Sequence, residues 1–270
     1  MLPSSFNIKK QAKTLLAGRW PLGIGAVLIL MFFLFFVLAI YSLLYPYFSN
    51  GFPFVVLSVL TVLFVISVGF PLTLGVLRTF RAVYEKQETD LYSVFFYFSS
   101  KKLLLKVIRL CIYLVFRIAI ISVLLLLPSF IIEGLSSGNM PFLDNNDLPL
   151  WLSNLWVFGT VLRGAAIAIT VYIVLQYYMA PYIFILNDNI DVSETLFLAK
   201  KTAKLGISNF FALILSFLGW ITLSLLAVPL IFTLPYAIMC YVVHCEAITD
   251  YYNKKIKSNK TSFIEDEFDL

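Results

Sequence analysis

Six apolar runs constrain this chain more than any other feature. They cover residues 21–44, 54–77, 103–132, 151–185, 209–232 and 235–252. A helix that crosses about 30 Å of hydrocarbon needs about 20 mostly apolar residues, so each run reads as a spanning helix. The sixth is the weakest, being short and containing His244, Glu246 and Asp250. A membrane barrel is excluded, because it would show alternating segments of about ten residues instead of unbroken runs. Composition agrees: 61% of residues are hydrophobic and 13% charged, against about 45–50% and 25% in soluble domains. The expected fold is all-α, an integral membrane bundle of six transmembrane helices. It forms one domain over residues 1–257, with an acidic, disordered cytoplasmic tail at 258–270. Cys111, Cys240 and Cys245 all sit in apolar runs and offer no disulfide framework. The first twenty residues are polar and periodic, and the apolar run after them is too long for a cleaved signal peptide.

The basic residues orient the bundle. Eighteen of the twenty Lys and Arg fall before the first run, between or at the ends of the second and third, between the fourth and fifth, or after the sixth. The intervening loops, 45–53, 133–150 and 233–234, carry none; their only charges are Glu133, Asp144 and Asp147. The positive-inside rule therefore predicts a multi-pass protein of the cytoplasmic membrane with both termini in the cytoplasm. Trp20, Tyr84, Tyr177 and Tyr178 suit the inner aromatic belt, and Tyr45, Tyr47, Trp151 and Trp156 the outer one.

Each basic stretch also carries an amphipathic segment. The apolar stripes are Ile8, Ala12, Leu15 and Leu16; then Leu91, Val94, Phe95 and Phe98 after an N-cap at Asp90; then Val192, Leu196, Ala199 and Ala203. Asp191 and Glu194 have capping-box spacing. Lysines line the opposite faces, as on a helix lying on anionic lipid headgroups, the partner this surface predicts. Three such segments, each leading into a hairpin, read as a weak threefold parallel repeat. Basic residues spread over four segments beside membrane helices fit headgroups better than a nucleic acid, so no nucleic-acid partner is expected.

Catalytic motifs are missing. There is no G-x-S-x-G, H-E-x-x-H or P-loop, so no enzyme activity and no cofactor are expected. His244 is the single histidine; with Cys240 it offers two ligands on one helix face, fewer than zinc needs, and no metal is expected. Gly164 and Ala168 have the small-xxx-small spacing of close helix packing. Packing within the bundle is the first reading of this stripe, and a homodimer face the second. Gly69, Pro71 and Gly75 predict a static kink near the inner end of the second helix.

Two arginines lie well inside spanning runs, away from their ends. Arg117 is close enough to the inner interface to snorkel. Arg163 is about 18 Å deep counted from Trp151, and Glu246 about 16–17 Å deep counted from Pro235. The matched depths predict an intramembrane polar cluster in which Arg163 pairs with Glu246, with Arg117 as a second cation.

The C-terminal third carries a further pattern. "APYIFILNDNIDVSETLFLAKKTAKLG" is followed by a Phe217-x-Gly219-Trp220 run and the Pro235-Tyr236 pair. With "LLAGRW" and the stretch 75–81, these segments resemble the domain-of-unknown-function 975 family of bacterial multi-pass membrane proteins. The resemblance implies a six-helix cytoplasmic-membrane protein and no particular activity. Together these readings predict a non-enzymatic scaffold or accessory of envelope, export or stress systems, working with a protein partner or as a homodimer. The alternative is a carrier or flippase for a small anion or anionic lipid, using the Arg163–Glu246 site.

Overall fold

The computed structural model describes residues 3–48, 51–136, 155–187, 190–224 and 228–268, with side chains as far as residue 255 in the last segment. Its elements are helical throughout. They are α1 (Ser5–Leu16), α2 (Trp20–Phe48), α3 (Gly51–Phe64), a π-helical turn (Val65–Gly69), α4 (Phe70–Tyr84) and a 3-10 helix (Leu91–Phe98). Then follow α5 (Lys101–Ser136), α6 (Leu155–Gln176), α7 (Ala180–Leu186), α8 (Val192–Leu215), α9 (Leu218–Ser224) and α10 (Val228–Phe268). Among the described residues six stretches are long and apolar enough to cross a membrane: Trp20–Phe48, Gly51–Tyr84, Lys101–Gly134, Val157–Leu186, Val192–Trp220 and Pro229–Lys255. The chain divides into two compact units, Met1–Cys111 with Met179–Leu270, and Ile112–Tyr178.

The first unit has its core where the polar ends of the helices meet. Ser4 caps α1 by accepting the Asn7 N–H, and Ile8, Ala12 and Leu16 are wholly buried. Gly18, at φ +79°, ends that helix in a conformation other residues rarely adopt. Arg19 then ties the turn down by donating to the carbonyls of Gln87 and Lys86, at 2.9 and 3.4 Å. The third predicted stripe is likewise sealed: Val192, Leu196, Ala199 and Ala203 are all buried in protein. These two apolar faces are covered by neighbouring helices, where the sequence reading gave them to lipid.

The second amphipathic segment changes its winding. At three residues per turn, Leu91, Val94 and Tyr97 share a face. Val94 and Tyr97 are fully buried, whereas Leu91 at the start of the segment, Phe95 and Phe98 are exposed. The α-helical face expected for this segment is therefore corrected. The cause is contact with α4 at Gly75, where an added Cβ would overlap the Val94 carbonyl oxygen. The Thr79 and Ser93 hydroxyls, 2.6 Å apart, and the Arg78 guanidinium, 3.7 Å above the Phe96 ring, hold the same contact. The three proposed repeat units thus begin differently: a separate helix, a 3-10 helix, and a segment that runs on unbroken as α8.

Within the second helix the expected irregularity falls at Val65–Gly69, as a π-helical turn. Pro71, which lacks an N–H, follows it, and Gly69 faces the Phe33 ring. Residues 233–234, expected as an outer loop, lie inside α10, and the fifth segment is interrupted at 216–217. Of α10, 56% of the most apolar stretch is buried, against 22% or less in the first four segments. The sixth run is therefore the least lipid-like because protein surrounds it, which is how it accommodates His244 and Glu246. α10 continues to Phe268, through the residues read as a tail.

In the second unit α6 lies on α5 at Gly159, whose missing side chain leaves room for the Glu133 methylenes. Ala166 is buried, but Gly164 and Ala168 are exposed, and nothing lies within 4 Å of a Cβ added at Gly164. Among the described residues of this unit, nothing packs on the Gly164–Ala168 stripe. Asp144, Asp147 and Trp151 lie outside the described residues.

Candidate functional site

Glu246 sets the chemistry of the first unit. It lies on α10 inside an apolar helix, with a side chain only 12% exposed, and a carboxylate there needs a cation. The cation is Arg81, on the last turn of α4. Its Nε is 3.6 Å from a Glu246 oxygen, one terminal nitrogen is 2.7 Å from Glu85, and the other donates to the Ile185 carbonyl at 3.0 Å. Glu85 is placed by the i,i+4 spacing of one helix face. Ile185 is placed by the end of α7, where carbonyls have no helical partner. Both terminal nitrogens are thus taken up by oxygens of the same unit, while the buried Nε makes no hydrogen bond and meets Glu246 through charge alone.

Aromatic side chains close the surroundings. The buried Tyr182 hydroxyl lies in the field of Glu246, and Tyr84 meets Gln11 beside Glu246 and Asp250. His244, one turn from Cys240, is buried and stacked on Phe210 at 5.5 Å. Among the described residues no three His, Cys, Asp or Glu side chains come together as a metal site.

Arg163 and Glu246, expected to pair, lie in different compact units, and each has an ion-pair partner within its own. Arg163 pairs with Glu133, its guanidinium 5.1 Å from the Phe130 ring, and Glu246 pairs with Arg81. Arg117 lies 5.5 Å from the Tyr177 ring. Matching the depths took Pro235 as a helix start and Glu133 as a loop residue. α10 starts at Val228, and α5 includes Glu133. Arg81 was missed because it stands among seven basic residues read together as one cytoplasmic flank. Its i,i+4 partner Glu85 was the available signal.

At the surface, Asp191 caps α8. Its carboxylate accepts the Ser193 hydroxyl at 2.5 Å and the Ser193 N–H at 3.3 Å. These bonds, the hydroxyl's first, hold its pKa below the usual aspartate value. The cap stands beside a cleft of about 440 Å³ bordered by Lys102, Lys106 and Arg109 of α5.

A chain that is helical through its described residues, with six stretches long and apolar enough to cross a membrane, belongs to the class of multi-pass membrane proteins. Within that class, the chain belongs to the family described as protein of unknown function DUF975, whose profile matches residues 1–252. No curated protein and no solved structure matches it.

Proposed function

We propose that this protein is a non-enzymatic scaffold or accessory of the cytoplasmic membrane, with both termini in the cytoplasm and a basic face on anionic headgroups. The observation that carries this reading is the neutralisation of Arg81. A transported anion would need a cation whose charge is unmatched, and Arg81 already lies between the carboxylates of Glu85, at 2.7 Å, and Glu246, at 3.6 Å, and donates to the Ile185 carbonyl. That arrangement suits a rigid element on which a partner assembles. The exposed Lys102, Arg109, Lys200, Lys201 and Lys204 supply the lipid-facing charge.

Reconstitution tests it. Liposomes containing the protein should show no anion flux and no lipid scrambling above protein-free liposomes, while crosslinking in native membranes should trap one defined protein partner. Saturable flux or scrambling that Arg81→Gln abolishes would replace this reading with a carrier.

A further inference from the structure

Length and composition qualify six helices to cross a membrane, but the contacts of α10 set a different geometry for the last two. We propose that the third hairpin, α8–α9–α10, enters only one leaflet. In this arrangement α9 and the first turn of α10 form a re-entrant hairpin, and α8 and the rest of α10 lie across the near ends of α2 and α4, in the headgroup layer. The proposal deepens the membrane seating given above and does not depend on which side the termini occupy.

Levels along α2 and α4 give the scale. A Cβ on Gly23 would lie 3.3 Å from the Phe80 ring, so these residues stand at one level. Trp20 is then about 4.5 Å, and Arg81 about 1.5 Å, nearer the polar end, at 1.5 Å per residue. α10 touches both: Phe232 meets the Trp20 ring at 6.3 Å, and Glu246 meets Arg81 at 3.6 Å. Between these contacts α10 advances 14 residues, about 21 Å. Its two contact points differ by only about 3 Å along α2 and α4. A helix running alongside them would separate the contacts by its full advance, so α10 crosses them.

α8 follows the same course in reverse. Phe217 meets Tyr236, Phe210 meets Tyr241, and the Lys201 ammonium is 5.7 Å from the Tyr252 ring. Both ends of α8 lie at charged side chains. Asp191 at its start is in the field of Arg109, and Lys9 donates to the Ser216 carbonyl at its end, at 2.7 Å. Lys200, Lys201 and Lys204 lie between them, with their side chains exposed. As a spanning helix α8 would hold these three charges at depth, where they are costly. As a surface helix it keeps them at the headgroups.

The level of Trp20 has the chemistry of a membrane interface. Lys13, Trp20, Trp220, Phe232, Thr233 and Tyr236 line one cleft of about 250 Å³, and Trp, Tyr and Lys are the residues that settle at headgroups. Beyond that level α2 runs for 29 residues, about 43 Å. α10 has only four residues from Phe232 back to Val228, about 6 Å. The exposed Leu218, Trp220 and Phe232 side chains then meet the acyl chains of the near leaflet.

Two measurements test this. In vesicles of phosphatidylcholine and phosphatidylglycerol, single cysteines are added at Gln87, Phe48 and Thr222 and treated with a membrane-impermeant maleimide on either face. The native cysteines are buried and stay in place. Gln87→Cys should label from the face of the termini and Phe48→Cys from the opposite one. Thr222→Cys should label from the opposite face no more than the protein without added cysteine. In the second, Trp20 or Trp220 is kept as the only tryptophan, with the others changed to Phe, and is quenched by lipids brominated at different chain depths. Both should be quenched most by the shallowest bromine. Labelling of Thr222→Cys from the Phe48 face, or deepest-bromine quenching of Trp220, would overturn the re-entrant hairpin.

Discussion

At the scale of single residues, the tightest constraint is Gly75. Its hydrogen occupies the space through which the Val94 carbonyl passes, and a Cβ there would lie 2.6 Å from the carbonyl carbon as well. Backbone cannot swing aside as a side chain end does, so Gly75→Ala should cost about 1–3 kcal/mol. Thermal unfolding in detergent should show this as a lower melting temperature, with Gly164→Ala unchanged because its surroundings are open. An unshifted Gly75→Ala would contradict the contact. Arg81 and Glu246 form the second residue-scale case. Removing either leaves a mostly buried opposite charge, so the two single changes to Ala should each destabilise, and the double change should cost less than their sum. The coupling expected in a double-mutant cycle is about 0.5–3 kcal/mol. Strict additivity would dissolve the pair.

At the scale of elements, winding decides which side chains are buried. The segment Leu91–Phe98 has an apolar residue at nearly every position, so composition is compatible with either an α or a 3-10 face. The two differ at Tyr97 and Phe95. Tyr97→Ala should cost about 3–5 kcal/mol, and Phe95→Ala, on an exposed site, within about 0.5 kcal/mol; reversed costs would restore the α-helical face. The start of α8 has its own signature. Bonds from Ser193 stabilise the ionised Asp191 carboxylate, so its folded pKa is depressed. The cap's contribution is therefore present above the ordinary aspartate pKa of about 3.9 and is lost as pH falls through the lower folded value. The Ser193 amide shift, followed by NMR against pH, should titrate with a midpoint below about 3.9. A midpoint at or above that value would remove the bond.

At the scale of the whole molecule, the distribution of Lys and Arg predicts that reporter fusions at 49 and 143 read outside, and those at 95, 198 and 262 inside. An outside reading at 262 would reverse the orientation proposed for the C-terminus. The membrane class was legible because transfer of apolar runs into hydrocarbon is a sum over local sequence. The amphipathic stripes of α1 and α8 were legible too, since Ile8, Ala12 and Leu16, like Val192, Leu196, Ala199 and Ala203, fall inward at helical spacing. What covers those stripes was not legible. A stripe has the same pattern against lipid as against another helix.

The sequence by itself determined the helical membrane class, the membership that Trp20, Trp220, Pro235 and Tyr236 signal, and the asymmetry of charge along the chain. These depend on residue identity and short-range period, which no tertiary contact alters. Tertiary structure alone decided the partners of the buried charges. Glu246 needed a cation within a few ångströms, and Arg163, Arg117 and Arg81 were all chemically suitable. The choice of Arg81 follows from where α10 begins and how it crosses α4. Coulomb attraction and desolvation act over distances between helices, and those distances are set by packing between residues far apart in the chain.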